Sequence, residues 1–136
     1  MTPEDILPKD KFDTEAVKRL NRYSYEDLET SIPQLLTWIK DMNWPVAKPI
    51  AEYLQSISND ISSDINQILK GDDTIWKYWC FHVFWIWPNK QVDTKAFPEI
   101  MRIAHTPTDD ERIEGLDVLA KQLINYTTRY DIDIKE

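Results

Sequence analysis

The sequence has 136 residues, a length typical of one domain with its own hydrophobic core. Its 42% apolar and 29% charged residues are typical of a globular protein rather than a disordered one. It contains only two glycines, which are 44 positions apart. This excludes the glycine-rich loops that hold nucleotide phosphates, and it disfavours a β fold rich in tight hairpins.

The charge balance is acidic, with 24 Asp and Glu against 16 Lys and Arg and a net charge of −8. The electrostatic field of such a charge repels nucleic acid and anionic lipid and attracts basic partners. Many proteins are acidic only because this keeps them soluble, which is the alternative explanation. The most apolar stretch, residues 75–87, is shorter than the roughly 20 residues that span a bilayer. The N-terminus lacks the pattern of a signal peptide. We therefore expect a cytoplasmic protein that binds neither nucleic acid nor membrane directly.

Signals for helix starts recur along the chain, and almost nothing indicates a strand. In chain order, the predicted helices cover residues 14–22, 25–29, 32–42, 44–54, 60–70, 74–87, 92–105 and 109–124. An extended N-terminal segment, 1–12, is expected before them and a C-terminal tail, 128–136, after them. The sequence thus predicts an all-α protein with a single helical-repeat domain over residues 1–136.

Polar side chains define most of these helix starts. The predicted caps are Asp13, Ser24 (a capping box with Asp27), Ser31 (a box with Gln34), Asn43, Asp72 or Asp73, and Thr108 (a box with Glu111). Pro49 would interrupt the fourth helix, which therefore kinks near Val46 or begins around Lys48. Gly71 is expected to end the fifth helix. The sixth, 74–87, is apolar around most of its circumference and is predicted to be the most enclosed helix.

A repeat is visible at a shift of 30 residues, where residues 38–54 align with 68–84 without gaps. The aligned pairs include Ile39 with Leu69, Lys40 with Lys70, Asp41 with Gly71, Asn43 with Asp73, Ile50 with Cys80, and Leu54 with Phe84. Residues 101–123 repeat the same plan of helix, turn and helix. Antiparallel helix pairs at this period are typical of HEAT-like or armadillo-like stacks, so we expect a short right-handed superhelix. An irregular helical bundle is the alternative.

Three segments, LPKDKFDTEAVKRL, SIPQLLTWIKDMNWPVAKPIAEYL and LKGDDTIWKYW, resemble a small bacterial family catalogued as a domain of unknown function. The resemblance extends over about residues 5–126, and it implies a wholly helical, HEAT-like fold without implying a reaction. Proteins of this size and type are similar to immunity proteins encoded beside secreted interbacterial toxins, many of which are nucleases. The run CFHVFWIWP is more aromatic than the later helices of that family.

The residues that usually carry catalysis or bind metal are scarce. Cys80 and His82 are two positions apart on a predicted helix and face different directions, and His105 is far from both in sequence. We expect His82 to be a hydrogen-bonded core histidine and Cys80 an inert buried thiol. The paired acids stand at helix starts, where capping and the helix dipole account for them. We therefore expect no enzyme, no metal and no cofactor.

Acidic and aromatic residues concentrate at the two turns of the repeat. The candidate partner-binding residues are Asp41, Asn43, Trp44, Asp72, Asp73 and Trp76. On one edge of a stack they would form a ridge of acids around aromatic anchors, as in many protein interfaces. Alternatively, the tryptophans at these turns fill gaps between helix pairs. Trp79, Phe81 and Phe84 are expected in the core.

These features favour a non-catalytic immunity protein, a monomer that forms a 1:1 complex with a cognate toxin and blocks it. A nuclease toxin must be basic to hold its substrate, so an acidic inhibitor would be steered towards it. The alternative is a helical-repeat scaffold or peptide-binding module with an unrelated role. An enzyme that uses a carboxylate in a groove is a weaker third hypothesis.

Overall fold

The computed structural model describes residues 6–88 and 92–135, with side chains up to residue 127. The described residues are helical and include no strand, which confirms the predicted fold class. The α-helices are α1 (Thr14–Val17), α2 (Tyr25–Leu28), α3 (Ile32–Thr37), α4 (Ala47–Ser56), α5 (Ser62–Lys70), α6 (Thr74–Phe81), α7 (Phe97–His105), α8 (Asp109–Ile113) and α9 (Leu116–Lys135). Leu20–Arg22 and Glu29–Ser31 form 3₁₀ turns, and His82–Ile86 forms a π-helical turn.

The chain divides into two compact units, Met1–Asp64 and Ile65–Glu136. In unit 1, short helices bury aliphatic side chains at helical spacing, including Leu28, Ile32, Leu35, Leu36, Ile50 and Leu54. The Tyr53 hydroxyl donates to the carbonyl of Tyr23 at 3.0 Å, which ties α4 to the chain before α2. Of the expected extended segment, residues 1–5 lie outside the described part, and residues 6–12 form bends and turns in which Ile6 is buried.

Ser24 opens α2 with the predicted capping box, because its side chain and that of Asp27 each accept a backbone N–H of the other residue. The box predicted at Ser31 is wrong. A 3₁₀ turn runs into α3 there, so Ser31 already has helical backbone angles and makes no side-chain cap. The helix also ends at Thr37 rather than near Met42, since residues 38–40 continue with i→i−3 bonds.

The fourth helix begins at Ala47, close to the later of the two predicted starts. Pro49 then stands at the third helical position, where a backbone N–H has no partner within the helix, so proline is tolerated. Asn43 does not cap this helix, contrary to prediction. Two i→i−3 bonds, from Trp44 to Asp41 and from Ala47 to Trp44, form turns before the helix starts. Val46 occupies the cap position without a side-chain bond, and its N–H donates to the carbonyl of Lys11.

Unit 2 contains α6 and α7, and α5 begins at the end of unit 1 and ends in unit 2 at Lys70, directly before Gly71 as predicted. α7 begins at Phe97 rather than at the predicted residue 92. The predicted helix over 109–124 is interrupted at Gly115, whose φ of 74° lies in the left-handed region that glycine tolerates best. Gly115 ends α8 and α9 begins one residue later, so Ile113 turns away from the apolar face and is 80% exposed. The backbone of the expected C-terminal tail is helical as far as residue 135.

The two copies of the repeat agree in burial and differ in local structure. The aligned apolar pairs Ile39 with Leu69, Ile50 with Cys80, and Leu54 with Phe84 are all buried. Nine residues, 38–46, separate α3 from α4, whereas only three residues, 71–73, separate α5 from α6. The HEAT-like arrangement and the single-domain organisation therefore stay predictions.

Candidate functional site

The first turn of the repeat carries Asp41, Asn43 and Trp44, and all three are at least partly exposed. The Asp41 carboxylate accepts the backbone N–H of Asn43 at 2.9 Å, which closes a local turn. Trp44 packs edge to face against Trp38, with ring centroids 5.8 Å apart. Trp44 therefore packs within its own unit, and the role of this turn in partner binding stays a prediction.

The second turn carries Asp72, Asp73 and Trp76 in a different arrangement. Asp73 is the N-cap of α6, and its carboxylate accepts the backbone N–H of Trp76 at 3.0 Å. This confirms one of the two predicted caps. Asp72 is exposed, and Trp76 is partly buried. Asp73 thus has a structural role at this turn, whereas Asp72 is a carboxylate at the surface.

The predicted ridge is divided between the two units: three of its residues belong to unit 1 and three to unit 2. Within each unit the acid and the tryptophan are joined through the backbone, since the N–H of Trp44 donates to the carbonyl of Asp41 and the N–H of Trp76 to the carboxylate of Asp73. Whether the two groups form one continuous surface stays a prediction.

The helix that was expected to be apolar carries a buried cation at its centre. Lys77, only 2% exposed, donates to the fully buried Glu111 carboxylate at 2.8 Å. Arg102 donates to both oxygens of the same carboxylate, at 2.8 and 3.0 Å. Arg102 also reaches Glu99 at 2.9 Å and the carbonyl of Leu69 at 3.2 Å. We call Lys77, Glu99, Arg102 and Glu111 the buried ion cluster; it links α6, α7 and α8.

Glu111 also completes the predicted capping box by accepting the backbone N–H of Thr108 at 2.8 Å. Burial on its own raises the pKa of Glu111, but the hydrogen bonds from Arg102, Lys77 and Thr108 outweigh it and lower the pKa to about 2. The pKa of Arg102 is raised, chiefly by its bond to Glu111. A carboxylate held ionised by two cations is suited to structure rather than to general acid chemistry.

Sequence reasoning missed this cluster. The signal was present, because Lys77 interrupts the apolar run IWKYWCF, and a charged residue in such a run has to be paired if it is buried. The sequence could not indicate which of the many acids is its partner, since Glu111 lies 34 positions away.

A groove in unit 2 lies between the π-helical turn and α9. It has a volume of about 370 Å³ and is lined by His82, Ile86, Leu119, Gln122, Leu123 and Tyr126. Trp87, beside it, is 50% exposed, and its ring centroid lies 5.5 Å from that of His82. The helix predicted to be the most enclosed therefore has an exposed aromatic end. Trp79, expected in the core, is only partly buried, whereas Phe81 and Phe84 are buried as predicted.

His82 differs from the hydrogen-bonded core histidine that was predicted. It is partly buried, and neither ring nitrogen has a hydrogen-bond partner among the described residues. Its ring instead packs against Tyr78, at a centroid distance of 4.4 Å, and lies within 6.0 Å of Trp79. Burial lowers the pKa of His82, so the ring is neutral at pH 7. Leaving a buried polar atom unpaired costs about 1–3 kcal/mol, so the packing around His82 has to offset that cost.

Cys80 is fully buried, as predicted, and burial, with a smaller effect from Asp73, raises the pKa of its thiol. Within residues 6–88 and 92–127, no three His, Cys, Asp or Glu side chains are grouped so that they could hold a metal ion. None of the described helices is both long enough and apolar enough to cross a membrane.

Comparison with known proteins gives a family and no activity. The model of a family described as a domain of unknown function (DUF5071) matches residues 6–124. No curated protein matches the sequence significantly.

Proposed function

The chain belongs to the DUF5071 family, and from that premise we propose that it is a non-catalytic immunity protein that binds and blocks a cognate bacterial toxin, a basic nuclease domain. The observation that carries the proposal is the net charge of −8 together with an acid beside a tryptophan at both turns of the repeat. The protein would act in the cytoplasm of the cell that it protects, as a monomer in a 1:1 complex. A right-handed HEAT-like stack would make its binding surface rigid.

Electrostatic steering supports this task. A nuclease cleft is positively charged because it holds a polyanion, and opposite net charges raise association rates above the unsteered range of about 10⁵–10⁶ M⁻¹s⁻¹. Tryptophans such as Trp44 and Trp76 supply the large contact areas that slow dissociation at protein interfaces. Inhibition by occlusion requires no catalytic residue in the inhibitor.

The first test is genetic. An immunity gene lies next to the gene of its toxin, so we expect the neighbouring reading frame to encode a large secreted protein with a basic C-terminal domain. Co-expression of this chain should restore growth to cells that produce that domain. A neighbourhood without such a gene, or a failure to rescue growth, would contradict the proposal and favour the helical-repeat scaffold or peptide-binding module.

The second test removes charge at the two turns without removing structure. Asp41 and Asp73 each accept a backbone N–H, and asparagine keeps that acceptor, so Asp41→Asn, Asp72→Asn and Asp73→Asn combined should leave the fold intact. In stopped-flow association with the toxin domain at low salt, we expect the on-rate of this triple variant to fall by about tenfold.

The matched control combines Glu26→Gln, Glu52→Gln and Glu114→Gln, which changes the net charge equally at exposed positions outside the two turns. We expect it to reduce the on-rate by only about twofold, through the general field. Equal effects of the two triple variants would remove the turns from the interface.

A further inference from the structure

The groove beside the π-helical turn has no part in the proposed contact with a toxin. Its volume of about 370 Å³ is within the range of small-molecule sites, about 300–1,000 Å³. Its floor is apolar, with Ile86, Leu119 and Leu123, and its polar groups are the side chains of His82, Gln122 and Tyr126. Among the described residues that line it none is charged, which favours an uncharged occupant.

His82 supplies this groove with hydrogen-bonding capacity that the described residues do not use. Both of its ring nitrogens are buried, and neither has a hydrogen-bond partner in the part of the chain that the structure describes. A neutral imidazole has one donor and one acceptor nitrogen, and native structures leave few buried polar atoms unsatisfied. An imidazole ring rotates in a broad torsional well about χ2, so a small rotation turns a nitrogen towards a ligand in the groove.

The backbone at this position is unusual as well. The N–H of Trp87 donates to the carbonyl of His82 at 2.9 Å, which is the i→i+5 bond of a π-helical turn. Such turns are rare within helices and occur frequently at functional sites. His82 and Ile86 of this turn both line the groove, and Trp87, directly after it, is half exposed.

From the cavity, the unpaired imidazole and the adjoining rings, we infer that the groove binds a neutral, planar aromatic molecule of one or two rings that donates one hydrogen bond to His82. A flat ring suits a groove whose imidazole is itself packed among aromatic rings, since the ring centroids of Tyr78 and Trp87 lie 4.4 and 5.5 Å from that of His82. The apolar floor removes the remaining ring surface from water. Gln122, at the exposed rim, selects for polar substituents that reach the solvent.

The test uses two probes of nearly the same shape on the full-length chain. Indole carries the N–H donor, and 1-methylindole lacks it. In a ¹H–¹⁵N NMR titration we expect both probes to shift the amides of Leu119, Gln122 and Leu123 and the indole N–H of Trp87. Indole should bind about tenfold more tightly, the effect of one additional hydrogen bond. The amide of Phe12, an exposed aromatic residue in unit 1, should not shift.

Two variants assign the effect to the groove. His82→Phe keeps a planar ring without nitrogens, and we expect it to bind indole and 1-methylindole equally. Leu119→Trp fills the groove and should abolish binding of both probes, whereas Val118→Trp, at an exposed position of the same helix, should not.

Three results would overturn the inference: no shifts at the groove with either probe, shifts that include Phe12 to the same extent, or equal affinity of the unmodified protein for the two probes. The comparison of indole with 1-methylindole on the unmodified chain tests the inference even if His82→Phe does not fold. None of these measurements involves a toxin, so their failure would leave the proposed function untouched, and the reverse also holds.

Discussion

The two turns of the repeat show how one sequence pattern leads to two local structures. At the second turn, Asp73 caps α6 directly, and the helix begins at once. At the first, Asn43 occupies the aligned position but makes no cap, and α4 begins only at Ala47. A capping side chain acts only where the following N–H groups are left without backbone partners. After Asn43, Pro45 has no N–H, and the N–H groups of Val46 and Ala47 already donate to backbone carbonyls. Aligned polar residues therefore do not guarantee aligned helix ends.

The difference continues inside the helices. The shift of 30 residues aligns Ala47 with Lys77, and both side chains are almost completely buried. Ala47 needs no partner, whereas the buried ammonium of Lys77 is tolerated because it donates to the Glu111 carboxylate of the buried ion cluster. Unit 1 thus relies on apolar packing at this position, and unit 2 relies on a paired charge.

The largest loss of stability is expected when Lys77 loses its partner. Glu111→Ala removes the only carboxylate bonded to Lys77 among the described residues, so a buried cation loses its partner. We expect the free energy of unfolding to fall by about 3–5 kcal/mol in urea denaturation followed by circular dichroism. Asp110→Ala, at an exposed position one residue earlier, is the control and should stay within about 0.5 kcal/mol. A small loss for Glu111→Ala would mean that the cluster contributes little.

The pH dependence of stability is a second test of what Glu111 contributes. The pKa of Glu111 is about 2 in the folded chain and has an ordinary value of 4.5, so its contribution to stability is complete above about pH 4.5 and is lost as the pH falls towards 2. The shift corresponds to about 3 kcal/mol. In urea denaturation between pH 5 and 2, we expect the unmodified protein to lose more stability than Glu111→Gln. Parallel curves for the two proteins would contradict this assignment.

A smaller effect on stability should distinguish the two turns of the repeat. Asp73→Ala removes the cap of α6 and should lower the free energy of unfolding by about 1 kcal/mol, while Asp73→Asn should be nearly neutral. Asn43→Ala, at the aligned position, should also be nearly neutral, because its side chain caps no helix. Thermal denaturation of the three variants measures this, and an equal loss for Asp73→Ala and Asn43→Ala would show that the turns are equivalent after all.

The sequence predicted what depends on neighbouring residues. The boxes at Ser24 and Thr108, the cap at Asp73 and the end of α5 before Gly71 all appear where they were expected. Each depends on bonds between residues three or four positions apart. The same rule failed at Ser31, because a preceding 3₁₀ turn had already supplied helical backbone there.

The candidate site also has one part that the sequence predicted and one part that it did not. The association of an acid with a tryptophan at each turn follows from short sequence spacing, and it is present at Asp41 with Trp44 and at Asp73 with Trp76. The groove at His82 was not foreseen, since its other wall comes from α9, about 40 residues later. A lone histidine in an aromatic run is more often a satisfied core residue, and only the structure shows both nitrogens unpaired.

Helical periodicity and cap chemistry were enough to predict an all-α chain, because each acts within one or two helical turns. The charge count alone gave its acidic character. The partner of Lys77, the exposure of Trp87 and the break at Gly115 were decided by tertiary structure. These features depend on which helix faces which, and a buried charge or an open groove exists only once distant segments have packed together.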